Sequence, residues 1–122
     1  MFFPVSGWFA AFVLTLAVEG PLVAFILRRA EPDLVRLGVL VVFANLATHP
    51  VVWYVMSQLF LVGTLEYTLV AETWAIAAEA VFYGAAIRGL SVRRAVAAAV
   101  AANAASFVVG QVIGELRPEL FR

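Results

Sequence analysis

Ala17-Val18-Glu19-Gly20-Pro21-Leu22-Val23-Ala24-Phe25-Ile26-Leu27-Arg28 sets a carboxyl inside an otherwise apolar run that ends on an arginine. Ala77-Ala78-Glu79-Ala80-Val81-Phe82-Tyr83-Gly84-Ala85-Ala86-Ile87-Arg88 does the same sixty residues later. Downstream of each run a second pair matches: Arg36 through Ala44-Asn45-Leu46-Ala47-Thr48 lies on Arg94 through Ala102-Asn103-Ala104-Ala105-Ser106. The second offset is shorter by two residues, a difference that belongs in a loop, where indels are tolerated.

The surrounding chain tells what solvent these runs meet. Its 122 residues are 65% hydrophobic, with a mean hydropathy of +1.02, which leaves too few polar groups to cover a water-soluble surface. A helix needs about 20 apolar residues to cross roughly 30 Å of hydrocarbon. Breaks in hydropathy then give four spans: about Val5 to Leu27, Leu37 to Met56, Leu65 to Ile87 and Val92 to Ile113. Arg28-Arg29-Ala30-Glu31-Pro32-Asp33 and Arg88-Gly89-Leu90-Ser91 close the two hairpins, with Ser91 as N-cap of the last helix. Ser57 to Glu66 forms the softer middle connection.

The expected fold is therefore all-α: a polytopic membrane protein of four transmembrane helices, formed by two tandem, parallel helical-hairpin repeats. Residues 1–122 make a single membrane domain, with repeat 1 at about 5–56, repeat 2 at about 65–114 and a short tail over 115–122. The first apolar segment has no basic residue before it and no small-x-small cleavage pattern after it, so it reads as a retained helix. Without cysteine there are neither disulfides nor thiolate metal sites, and a net charge of +0 argues against nucleic acid as a partner.

Arginine placement predicts orientation. Arg28, Arg29 and Arg36 flank the first loop, and Arg88, Arg93 and Arg94 the third; only Arg117 and Arg122 oppose them. The positive-inside rule then puts both hairpin loops in the cytoplasm and both termini outside, in a multi-pass protein of the plasma (inner) membrane.

Spacing gives the depth of the polar groups. Glu19 to Arg28, Arg36 to Asn45, Glu79 to Arg88 and Arg94 to Asn103 are each nine residues. At 1.5 Å per residue, each polar group lies about 13 Å from the arginine level. Two carboxyls and two carboxamides are thus expected to meet near the midplane, about a pseudo-two-fold axis along the membrane normal. Thr48 and Ser106 lie one turn further on. Glu72, Ile76, Glu79 and Tyr83 share one face of the third helix, which adds a phenol to the set.

Asn, Thr and Ser serve as interhelical glue in lipid, at about 1 kcal/mol per contact. Ser106, Gly110 and Gly114, in line with Asn103, also read as a packing seam. A carboxylate at the bilayer centre costs several kcal/mol unless protonated, paired or coordinated, and no intramembrane Lys or Arg is present to pair. Glu19 and Glu79 are therefore expected to be protonated, to share a proton or to hold a cation.

Two prolines add asymmetry. Pro50 leaves the carbonyl of Leu46 without its amide partner, Pro21 does so for Ala17, and neither has a counterpart in the other half. The Gly20-Pro21 step is expected to break the first helix. His49, where the other half has Phe107, offers with Glu72 and Glu79 a ligand mixture that a divalent metal accepts. No other cofactor is expected.

The first expectation for function is a transporter or channel for a proton, cation or small solute. Its pathway is drawn from Glu19, Asn45, Thr48, Glu79, Asn103, Ser106 and Tyr83, and it works as a homo-oligomer because four helices enclose little volume. A non-catalytic subunit or assembly factor of a larger membrane complex comes second. An intramembrane metal-dependent enzyme comes last, since no H-E-x-x-H or G-x-S-x-G spacing occurs.

Overall fold

The computed structural model describes residues 5–122; the first four residues of the single domain drawn above lie outside them. Helix α1 spans Val5–Leu27 and α2 Leu34–Pro50, the latter carried on by a π-helical segment, Val51–Met56, and a last turn, Ser57–Leu59. Helix α3 spans Leu65–Ala86 and α4 Val92–Leu116, followed by a 3-10 turn at Pro118–Phe121. All four long helices, 22 to 26 residues each when α2 is counted through Leu59, are long and apolar enough to cross a membrane.

Side-chain caps set the helix starts, since the first amides of a helix have no partner within it. Asp33 accepts from the amides of Val35 and Arg36, Thr64 from Tyr67 and Ser91 from Arg94. The Asp33 cap starts α2 at Leu34, one turn earlier than hydropathy places it. Gly63 at φ +90 and Gly89 at φ +78 make the turns before α3 and α4, in a backbone region that other residues resist.

Each helix packs antiparallel to the next in the order α1, α2, α3, α4, and α4 closes back on α1. Apolar packing is concentrated at the arginine end of this ring. Val23, Leu27, Leu37, Val41, Tyr83 and Ile87 fill it, against Ala95, Ala98 and Ala102 of α4. Alanine at these helically spaced positions lets the backbones approach closely, which is how helices associate where no hydrophobic effect separates them from solvent. Arg36 ties the same end together, donating from Nη1 to Glu31 at 2.8 Å and from Nη2 to the Ala86 carbonyl at 3.0 Å.

The outside of the bundle is as apolar as its core. Phe9, Phe25, Phe43, Val81 and Val108 are exposed. Such a surface is an aggregation hazard in water and the expected one in lipid.

The two prolines act differently from each other. Helix α1 runs through Pro21 without interruption, contrary to the break expected at Gly20-Pro21. Pro21 and Ala17 are both on the exposed face, where the helix takes up the missing hydrogen bond and the ring's crowding of the Ala17 carbonyl without leaving its helical path. After Pro50, by contrast, the register changes: the Val51 amide bonds three residues back to the Thr48 carbonyl, and the π-helical segment follows. A π insertion is one of the ways a helix absorbs a missing donor. Neighbouring side chains hold the carbonyls there, with Tyr67 Oη donating to Val52, Ser57 Oγ to Trp53 and Gln58 Nε2 to Tyr54.

The Ser106, Gly110 and Gly114 seam is divided. Ser106 turns into the bundle, nothing lies close to Gly110, and Gly114 is covered by Phe121 of the tail. The tail also lies against α1, where Gly7 leaves room for the backbone of Phe121.

Candidate functional site

Midway along the bundle the core turns polar. Glu19, Asn45, Thr48, Glu79 and Asn103 are all buried, the two glutamates at 0% and 1% exposure. The Asn45 amide donates to Glu19 Oε2 at 2.8 Å and the Asn103 amide to Glu79 Oε2 at 2.6 Å. Each pairing joins the two helices of one hairpin. The remaining oxygens reach across: Ser106 Oγ donates to Glu19 Oε1 at 2.9 Å and Thr48 Oγ1 to Glu79 Oε1 at 3.4 Å. All four helices are thereby linked through two carboxyls.

The amides are held by a second bond each. Asn45 Nδ2 also donates to the Val41 carbonyl at 3.0 Å, and Asn103 Nδ2 to Ala99 at 2.8 Å. Both hydrogens of each Nδ2 therefore have acceptors, and turning the amide over would set its oxygen against a carboxyl and a carbonyl. The hydroxyls have a choice instead. Ser106 Oγ lies 3.1 Å from the Asn103 carbonyl and Thr48 Oγ1 lies 3.4 Å from that of Asn45. One hydrogen thus has two acceptors in reach, a carboxyl across the bundle and a carbonyl on its own helix.

A half-open cavity of about 140 Å³ adjoins this layer on the side away from the arginines. Glu19, Asn45, Thr48, Asn103 and Ser106 form its floor, and Thr15, His49, Trp53, Glu72 and Phe107 stand around it. Glu79 lies behind that floor and does not line it. Tyr83 is fully buried one turn further toward the arginines, in the apolar seal, and its hydroxyl has no partner among the described residues.

The sequence-derived set is thus divided three ways. Glu19, Asn45, Thr48, Glu79, Asn103 and Ser106 form one hydrogen-bonded cluster; Tyr83 belongs to the seal beside it; Glu72 and His49 belong to the cavity. The metal set His49, Glu72 and Glu79 does not assemble: among the described residues no three His, Cys, Asp or Glu side chains form a group that could hold an ion. His49 Nε2 is 3.1 Å from Thr15 Oγ1, and its ring packs between Phe12 and Trp53, at centroid distances of 5.7 and 6.5 Å. Its position one turn past Asn45 gave its side of the helix, but not these neighbours.

Thr15 and Trp53 are the polar and aromatic cavity residues that the sequence reading missed, along with the apolar Val52, Ala71 and Ala75. Thr15 precedes Glu19 by one turn of α1, a spacing that could have flagged it. Trp53 follows His49 by four residues and Asn45 by eight, so the spacing that singled out His49 could have flagged it too. No family model, curated protein or solved structure matches the chain, so the function has to be argued from this cluster and its cavity alone.

Proposed function

We propose that the chain is a small transporter or channel of the plasma (inner) membrane, in which Glu19 and Glu79 take up and release a proton or a small cation. The observation that carries this reading is the choice open to the two hydroxyls. When a carboxyl is ionised, Ser106 or Thr48 donates to it. When it is protonated, the new O–H needs an acceptor, and the hydroxyl can accept it while giving its own hydrogen to the Asn103 or Asn45 carbonyl. Neither protonation state then leaves a buried group without a partner, the condition under which a buried acid can titrate inside a membrane without opening the bundle.

Two further features support the reading. The cavity gives Glu19 access from one side, and the packed seal around Tyr83 blocks the other, the arrangement of a carrier resting with one gate open. The crossed bonding, amide from the same hairpin and hydroxyl from the other, is what two tandem hairpin repeats about an axis along the membrane normal would produce. In this proposal the loops at the arginine end are cytoplasmic and the cavity faces outward. A homo-oligomer would supply the rest of the pathway, with the open surface at Gly110 as a contact.

A second reading, a non-catalytic subunit or assembly factor, draws on one observation: both oxygens of Glu19 and of Glu79 are already bonded within the chain, as a purely structural polar layer requires. Proteoliposome flux separates the two. Glutamine at either position keeps its oxygen toward the asparagine amide and points its NH2 at the hydroxyl, which can accept. Glu19→Gln and Glu79→Gln should therefore fold like the parent and lose at least 90% of proton- or cation-coupled flux. Absence of flux for protons and monovalent cations in the parent, with either glutamine destabilising the fold, would favour the structural reading.

A further inference from the structure

The two asparagines on the floor of the cavity beside Glu19 have spent their hydrogens and kept their acceptors. Asn45 and Asn103 are at least nine-tenths buried and line it, and both hydrogens of each amide are engaged elsewhere. Each Oδ1 is left as an acceptor with no donor among the described residues. Glu72, on the cavity wall, likewise makes no hydrogen bond or ion pair among them. No lysine or arginine lines the space. A ligand matched to such walls brings positive charge and several N–H or O–H groups of its own.

Size and wall chemistry narrow the class. A void near 150 Å³ holds about six heavy atoms, the size of benzene, so the roughly 140 Å³ here is well below drug-sized. A bare metal ion needs several ligands converging at about 2.0–2.6 Å, and no such group forms among the described residues. Trp53 and Phe107 give the rim an aromatic face for a short alkyl chain or for the cation itself. Ordinary inorganic cations use none of that face. Quaternary ammonium ions use it but have no N–H for the free oxygens.

We propose that this cavity binds a small protonated primary alkylamine, its ammonium group donating to Glu72 and to the Asn45 and Asn103 side-chain oxygens and its alkyl chain lying against Trp53 and Phe107. The role of this ligand as cargo rests on the transport reading above; its binding does not.

The test uses the full chain in lipid nanodiscs with Trp8→Phe and Trp74→Phe, so that Trp53 is the one remaining indole. n-Butylammonium should change its fluorescence saturably, with n-butanol and tetramethylammonium each at least tenfold weaker. Glu72→Gln, which removes no hydrogen bond from the bundle, should weaken n-butylammonium at least tenfold, and Glu72→Asp should restore part of the loss. Equal affinity for n-butanol and n-butylammonium, or no effect of Glu72→Gln, would overturn the proposal. Proton flux in liposomes without amine binding would overturn this inference and spare the transport reading; saturable amine binding without flux would do the reverse.

Discussion

Glu19 and Glu79 sit in nearly the same bonding pattern and face different surroundings. Each accepts from an asparagine of its own hairpin, at 2.8 and 2.6 Å, and from a hydroxyl of the other. Glu19, however, has the shorter hydroxyl bond, 2.9 against 3.4 Å, and lines the cavity, whereas Glu79 lies behind it. On the cavity side, two turns along α1 and α3 and one along α2 and α4, the positions related by the same offsets differ outright: Phe12 packs on His49 in one half, while Glu72 and Phe107 take the matching places in the other. A shared polar layer can thus hold two carboxyls while the adjoining layer decides which of them lines the cavity.

The largest way to break that comparison is to remove an asparagine. Asn45→Leu and Asn103→Leu each take the nearest donor from a buried carboxyl and should cost about 2–3 kcal/mol in reversible unfolding from detergent micelles. If the polar layer is equivalent in the two halves, the two losses agree within about 1 kcal/mol. Because the hydroxyls link the halves, the double variant should lose measurably less than the sum. Unequal losses, or strict additivity, would mean that the halves are not one unit.

A smaller effect sharpens the difference between the halves. Ser106→Ala removes a bond of 2.9 Å and should cost about 1 kcal/mol in the same unfolding measurement. Thr48→Val keeps the shape and removes a hydroxyl bond of only 3.4 Å, and should cost less than about 0.5 kcal/mol. Reversal of that order would contradict the assignment of the stronger hydroxyl bond to Glu19.

Much of this cluster was legible in the sequence because depth follows from counting. Nine residues from each arginine puts four polar groups at one level whatever the rotation of the helices. What counting does not give is which helix each group faces once four helices close into a ring. Ser106 reads as part of a glycine seam by its four-residue spacing, yet it turns to Glu19; Tyr83 shares a helical face with Glu72 and Glu79, yet the three lie in seal, cavity and polar layer. A face spans more than 15 Å of bundle over that stretch, and the environment changes along it.

The four spans were also legible, and their errors have local causes. The start of α2 came from a cap, Asp33, that a hydropathy scan does not weigh. Both prolines remove a donor, and the sequence treats them alike; the structure lets α1 continue past Pro21 on its exposed face and inserts a π-helical stretch after Pro50. That stretch begins between His49 and Trp53, yet Trp53 stays on the cavity side that the Asn45–His49 spacing marks. His49 was read for its ligand chemistry, and a threonine one turn before Glu19 and two aromatic rings account for its surroundings.

The central claim is that both buried carboxyls change protonation without the bundle opening, and infrared spectroscopy of the protein in bilayers tests it most directly. As bulk pH is varied, the protonated-carboxyl C=O stretch should change while the helical amide bands stay constant, and Glu19→Gln and Glu79→Gln should each remove one component of that change. A carboxyl signal that neither variant alters, or that changes only together with loss of the helical bands, would contradict the account.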